Sequence, residues 1–245
     1  MRETHQMRVT IALPAYDEVA SLERVVAEAQ AVIAALSLGG DAEILVVDDG
    51  STDGTGVLAD RLASDEVRVI HHDRNRGFCG AMTTSFREAR GDWVFLAAAD
   101  GQTPIAELAR FLAVAAEADI VVGVRETRTE TIFRKTLSRG FHLLARMIFA
   151  LPEREFSSAF LFRRALLDAM PFRSRPRSAS LLPEILFRAR RRGARLVTLE
   201  VQSLPRIAGQ AKGGQLTVAA LTLVELLRLG VLVRLDEARG VRRSG

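Results

Sequence analysis

From Arg8 to Gly123, short and almost wholly apolar runs alternate with stretches in which apolar residues recur every three or four positions. Arg8–Leu13, Glu43–Val47, Val67–His71, Trp93–Ala97 and Asp119–Gly123 are too short for helices. Their near-continuous apolarity suits strands covered on both faces. The intervening Glu18–Leu36, Thr55–Ala63, Gly80–Ala89 and Pro104–Ala116 carry helical periodicity. Strand and helix in alternation predict right-handed crossovers and an α/β fold built on a mostly parallel sheet flanked by helices.

The second half is less regular. A helix near Thr131–Phe149, a strand at Ala159–Arg163, a helix at Leu181–Arg192 and a strand at Arg195–Val201 precede a closing helical pattern from Leu216 to about Leu235. No repeat or Pro/Gly/Ser-rich linker divides the chain, so residues 1–214 are expected to form one domain, with 215–245 an amphipathic helix and basic tail. Glu225, Arg228 and Arg234 interrupt the closing apolar run. Each costs roughly 2.5–3.5 kcal/mol at a bilayer centre, which argues against a membrane span. At about 100° per residue Thr217, Thr222, Glu225 and Arg228 share one face, leaving a broad Leu/Val face. That face could pack on the domain or lie in the plane of a membrane, helped by Arg239, Arg242 and Arg243.

With 245 residues, 48% of them hydrophobic, the chain can bury a sizeable core, which excludes disordered and disulfide-stapled classes. Cys79 is the single cysteine and no export signal opens the sequence, so a cytoplasmic location is expected. A net charge of +4 gives no reason to expect nucleic acid. Its distribution is more telling: −10 over residues 1–123 and +14 over 124–245, so the halves are expected to handle different groups.

In open α/β sheets, ligands bind beyond the carboxyl ends of the strands, where loop amides and helix N-termini converge. The polar residues at those ends here are Pro14-Ala15-Tyr16-Asp17-Glu18, Asp48 to Thr55, Asn75-Arg76-Gly77 and Asp100-Gly101-Gln102. Asp48 and Asp49 repel one another, and no cation stands beside them in sequence. Asp53 or Thr55 could simply cap a helix, and Gly77 and Gly80 could serve only a turn. The absence of a Walker lysine motif and of Gly-x-Gly-x-x-Gly argues against an ATPase and a dinucleotide dehydrogenase. His71, His72 and His142 lack metal-ligand spacing and read as structural, and Cys79 reads as a packed residue. Arg190, Arg191 and Arg192 read as an exposed helix end.

Pro14 to Glu18, Val46 to Thr55, Asn75 to Gly80 and Asp100 to Pro104, taken in order, resemble the successive motifs of family 2 glycosyltransferases, which have the GT-A fold. Val121 to Arg125, Arg134 to Ser138, Ser157 to Arg164 and Pro205 to Lys212 resemble the dolichyl-phosphate mannosyltransferase branch, whose bacterial members use undecaprenyl phosphate. The resemblance covers roughly residues 8–230. It implies that Pro14, Ala15, Tyr16, Glu18, Asp48, Asp49 and Gly77 bind the nucleotide of a UDP- or GDP-linked sugar. It also places Asp100 and Gln102 in catalysis, beside the diphosphate and a Mg²⁺ or Mn²⁺ ion. Ala98 stands where the family's first carboxylate is usual, which implies reduced metal dependence, one carboxylate with the donor's phosphate oxygens and water still able to hold Mg²⁺; Ser158-Ala159 stands where the family has serine-glycine. Glu184 resembles an acidic position near a helix start, where capping alone is the alternative.

A lipid phosphate acceptor is already ionised near neutral pH and needs cations more than a general base. Arg125, Arg134, Ser138, Arg206 and Lys212 match family positions near the acceptor and donor phosphates, and Arg suits phosphate bidentately. The implied function is inverting transfer of a sugar from a nucleotide sugar to a polyprenyl phosphate at the cytosolic membrane face. Two alternatives stay open: a soluble hydroxyl acceptor, and, given Ala98, a binding module that has lost catalysis.

Overall fold

The computed structural model describes residues 7–125, 132–152, 159–202, 204 and 216–241, with the backbone alone for 132–138, 216–221 and 237–241. Seven strands form one sheet in the order β3-β2-β1-β4-β6-β5-β7. They are β1 (Val9–Ala15), β2 (Ala42–Asp48), β3 (Val67–His71), β4 (Trp93–Leu96), β5 (Ile120–Arg125), β6 (Phe160–Arg163) and β7 (Leu196–Val201). β1 pairs in parallel with β2 and β4, β2 with β3, and β5 with β7. β6 runs antiparallel between β4 and β5, a position its apolar run does not encode.

Both faces of the sheet are covered, as the apolar runs require. Along β4, Trp93 and Phe95 join the core under α1 (Leu22–Ala35), α2 (Thr55–Leu62) and α4 (Leu108–Ala113). Val94 and Leu96 join the opposite core with α3 (Phe78–Glu88), α5 (Ile132–Phe149), α7 (Leu181–Arg191) and α8 (Leu216–Val241). A short α6 (Arg164–Asp168) continues β6. In the first core, Phe95 and Phe111 meet edge to face at 5.4 Å, a geometry that adds to plain area burial.

Two helices start later than their periodicity suggests, for one kind of reason: their first amides find partners elsewhere. Glu18 and Val19 donate their N–H groups to Thr55 Oγ1 and Asp53 Oδ2, so α1 begins only at Leu22. Ile105 N–H donates to Glu28 Oε1 at 2.6 Å, so Ile105–Glu107 forms a 3₁₀ turn before α4.

The closing helix divides the Leu/Val face, for which packing on the domain and membrane contact both stayed open, between the core and the outside. Leu226, Leu229 and Val233 are buried in the second core, and so are Thr222 and Glu225, while Leu223, Val224, Leu227, Val231 and Leu235 point outward. Gly230 lets α8 lie close to α5, since a Cβ there would stand 2.5 Å from Ile148 Cγ2. The polar face turns inward because Glu225 Oε1 accepts the Arg175 N–H at 3.0 Å and the Arg228 guanidinium at 2.7 Å.

Candidate active site

The sheet register brings the predicted loops to one rim. Ala15 aligns with Asp48, and Asp48 aligns with His71. The ladder then runs past the strands: Asp49 N–H donates to Ala15 O, His72 N–H to Asp48 O, and Ala99 N–H to Pro14 O. Asp100 therefore emerges beside Pro14 and Ala15. β5 runs in the same direction as β4, so Arg125, at its carboxyl end, lies on this rim too and is half-buried.

The first two loops are stitched together. Asp17, at φ 50°, donates its N–H to Ser51 Oγ and accepts the Thr52 N–H at 2.8 Å; these bonds hold it in a region that non-glycine residues rarely enter. Asp53 accepts from Thr55 N–H, Thr55 Oγ1 and Val19 N–H. Burial works against its ionisation, yet these bonds outweigh it and hold the carboxyl below its ordinary value. Asp53, one residue before the Gly54 N-cap, thus takes the first amide of α2 and ties it to the first loop. The Tyr16 phenol is raised, first by burial and then by the field of Asp17 and Asp49.

The partners missing beside Asp48 and Asp49 in sequence come from the end of β3 and the residue after it. His71 Nδ1 lies 3.0 Å from Asp48 Oδ2, with Asp60 Oδ1 3.0 Å from its Nε2. His72 Nδ1 lies 2.6 Å from Asp49 Oδ1, with Thr84 Oγ1 2.9 Å from its Nε2. The parallel register supplies this pairing, and sequence adjacency conceals it. Asp49 does more: Oδ1 accepts the Arg76 N–H at 2.9 Å and Oδ2 the Gly77 N–H at 2.8 Å. Its buried carboxylate thereby fixes the Asn75–Gly77 loop. Gly77, at φ 87°, can carry no Cβ, which would stand 2.8 Å from Arg177 Cα and Pro176 O.

His71 makes stability pH-dependent. The hydrogen bond to Asp48 raises its pKa, against partial burial, and Asp60 adds to the rise. The folded state favours the protonated ring, so this contribution is complete below about pH 6.5 and is lost as pH rises through the raised folded value. With 40% of the side chain exposed, less than about 1 kcal/mol is expected. Melting temperatures of the parent and His71→Gln should therefore converge on going from about pH 5.5 to about pH 8.5. A gap that stays constant over that range contradicts the assignment.

At the fourth loop Asp100 is buried and its Oδ1 accepts the Gln102 N–H at 3.0 Å. Gln102 O in turn accepts the Leu204 N–H at 2.8 Å, so the residue preceding 205–215 is fastened to the rim. No group of three or more His, Cys, Asp or Glu side chains among the described residues is arranged to hold a metal. One hard carboxylate, Asp100, fits a Mg²⁺- or Mn²⁺-type ion held mainly by substrate phosphate oxygens and water.

Arg134 and Ser138 fall within α5, but their side chains lie outside the described residues, as do Arg206, Lys212 and Ser158 altogether. Cys79 is no nucleophile: burial pushes its thiol up to about 11, and its Sγ donates to Ser178 O. His142 is buried in α5, and Arg190, Arg191 and Arg192 form an exposed helix end, as read from the sequence. Glu184 does not cap α7. It is fully buried within the helix and accepts the N–H groups of Arg173 and Ser174, with Arg188 Nε 2.9 Å away.

Comparison with known proteins bears on the family and the fold. The sequence profile described as glycosyl transferase family 2 matches residues 10–178. Undecaprenyl-phosphate 4-deoxy-4-formamido-L-arabinose transferases of Klebsiella pneumoniae and Salmonella paratyphi A are 33% identical over 168 residues, which are 66% of this chain and 51% of theirs. The chain spans about half the length of the curated relatives it matches. Among solved structures, glucosyl-3-phosphoglycerate synthase from Mycobacterium tuberculosis, in complex with Mn²⁺, UDP-glucose and phosphoglyceric acid, superposes with a TM-score of 0.69 at 18% identity. It covers 91% of this chain and 80% of that one. The mannosyltransferase PcManGT from Pyrobaculum calidifontis, in complex with GDP-Man and Mn²⁺, gives 0.63 at 22% identity, covering 93% and 65%. At these identities the likeness is one of fold, and the fold is the expected GT-A arrangement.

Proposed function

The chain belongs to glycosyl transferase family 2, and from that premise we propose that it is an inverting glycosyltransferase moving a sugar from a UDP- or GDP-linked donor to a polyprenyl phosphate at the cytosolic face of a membrane. The observation that carries the reading is the convergence of Pro14–Glu18, Asp48–Thr55, Asn75–Gly77 and Asp100–Gln102 on one rim, interlocked by hydrogen bonds.

In this reading Pro14, Ala15, Tyr16 and Glu18 line the nucleotide. Asp49 acts largely by fixing the loop that carries Arg76 and Gly77, and Asp48 by holding the Ser51 amide of its own loop. Asp100 and Gln102 face the diphosphate. A divalent ion bound there with Asp100 supplies positive charge to the departing diphosphate. The acceptor phosphate oxygen attacks the anomeric carbon on the side opposite the leaving group; the new C–O bond forms as the old one breaks, and its electron pair stays on the diphosphate. The nucleophile is ionised already, so no general base is assigned. Arg125, Arg134, Ser138, Arg206 and Lys212 are proposed to orient the two phosphate groups and offset their repulsion. Release of nucleoside diphosphate from a panel of UDP- and GDP-sugars tests this. Release is expected to rise when a short polyprenyl phosphate is added; an equal or greater rise with sugar hydroxyl acceptors would favour the soluble-acceptor reading.

A lipid acceptor requires contact with a bilayer, and no helix among the described residues is long and apolar enough to cross one. Support for surface contact comes from α5 and α8. Leu143 and Met147 on α5, with Leu223, Val224, Leu227, Val231 and Leu235 on α8, are 47–65% exposed. A shallow groove of about 410 Å³ runs between Ile148 and Leu227–Leu235. Arg139 and Arg234 are exposed on the same helices, whereas Glu225 and Asp236 turn inward onto arginines. An isologous contact between two copies would set this apolar and cationic ridge against itself; an anionic bilayer complements it. Replacing Leu223, Leu227 and Val231 together with Ser is expected to lower co-sedimentation with anionic vesicles by roughly tenfold or more, with the melting temperature kept, since these side chains leave the core untouched. Unchanged co-sedimentation contradicts docking by this ridge.

A further inference from the structure

The segment 172–178, between α6 and α7, joins two parts of the molecule that the proposed chemistry treats separately. On one side it is held by two buried glutamates. Glu184 of α7 accepts the N–H groups of Arg173 and Ser174 and the Ser174 hydroxyl at 2.7–3.0 Å. Glu225 of α8, 2% exposed, accepts the Arg175 N–H at 3.0 Å. On the other side the segment backs the nucleotide loop. Pro176 O accepts the Gly80 N–H at 3.2 Å, Arg177 donates to Asn75 O at 3.2 Å, and the Pro176–Arg177 backbone lies against Gly77 too closely for any Cβ. The Asn75–Gly80 loop is thus gripped between Asp49 and this strap.

We propose that Glu225 is a positioning residue for nucleotide binding: it anchors the 172–178 strap through the Arg175 amide, and the strap sets the place of Asn75–Gly80. The inference rests on the reading that the rim binds a nucleoside diphosphate. The cost of Glu225 argues for such a role. It is a buried carboxylate on a helix whose neighbouring core positions are Leu226 and Leu229, and its Oε2 has no hydrogen-bond donor among the described residues, Arg175 Nε being 3.5 Å away. A leucine at this position would continue the apolar face, and the Arg175 and Arg228 side chains it leaves behind are exposed enough to reach water, so the change costs chiefly the bonds to Glu225. What leucine cannot supply is an acceptor for the strap amide.

The experiment compares Glu225→Leu and Glu225→Gln with the parent by three readouts: melting temperature, amide exchange at residues 74–80 and 173–175, and calorimetric titration with UDP and GDP. Glu225→Leu is expected to melt roughly 3–12 °C below the parent, exchange the Gly77–Gly80 amides about tenfold faster, and bind nucleoside diphosphate about tenfold more weakly, the worth of one lost acceptor. Glu225→Gln retains an acceptor oxygen and should recover both. In the parent, nucleoside diphosphate should slow exchange at Ser174 and Arg175 as well as in the loop. Parent-like exchange at 74–80 in Glu225→Leu overturns the inference, as does a glutamine variant no better than leucine. Should Glu225→Leu fail to fold, unchanged Ser174 and Arg175 exchange in the nucleotide-bound parent overturns it. A parent that binds neither nucleotide overturns the nucleotide-sugar reading instead, while the exchange comparison still decides the anchor.

Discussion

Asp100→Ala is expected to reduce transfer by at least about a hundredfold, the scale set by removing one group that stabilises transition-state charge. Asp100 is the only carboxylate at this loop, Ala98 and Ala99 preceding it. Its bond from the Gln102 N–H, made to a charged acceptor, is worth about 1.5–3 kcal/mol, so the melting temperature should fall by roughly 3–12 °C. Rates with Mg²⁺ and with Mn²⁺, set beside a thermal melt, read both quantities. Full activity with either ion removes Asp100 from the chemistry; a collapsed melt makes its role structural.

Asp49→Asn should fail differently, losing stability and nucleotide affinity together. The Asp49 carboxylate takes His72 and the Arg76 amide on one oxygen and the Gly77 amide on the other. An asparagine oxygen can replace only one side, leaving its NH₂ against a buried donor. Hydrogen bonds to charged groups are worth about 1.5–3 kcal/mol each, so a loss of about 3 kcal/mol and a melting point lower by roughly 6–12 °C are expected. Calorimetry with UDP and GDP should show weaker binding of both, because the loop carrying Arg76 and Gly77 is no longer fixed. A variant that keeps its melting temperature but loses one nucleotide selectively would mark Asp49 as a direct ligand of the base.

The central strands were legible because burial on both faces leaves an uninterrupted apolar run, as in the wholly buried β4; the edge strand β3 matches Val67–His71 residue for residue although most of it is only partly buried. Helix starts were less legible where loop residues compete for the first amides, as Thr55 and Asp53 do for Glu18 and Val19. The residues of the rim could be picked out as polar groups after apolar runs, but not their pairings. His71 and His72 look bland in sequence since their partners stand more than twenty residues away and meet them only through the parallel register. The facing of α8 stays open in the sequence, between domain and membrane, for a related reason. Helical periodicity separates polar from apolar sides but does not say which side meets the protein, and here buried loop amides recruit Glu225 inward.

The most direct test is the covalent structure of the product. The protein is incubated with a mixture of UDP- and GDP-sugars, Mg²⁺ or Mn²⁺, a short polyprenyl phosphate and a set of sugar hydroxyl acceptors, and the products are resolved by mass spectrometry with the anomeric configuration read by NMR. The expected result is a single lipid-linked sugar phosphodiester of inverted anomeric configuration, absent with Asp100→Ala. A sugar transferred to a hydroxyl acceptor, a retained configuration, or no product from any donor would contradict it.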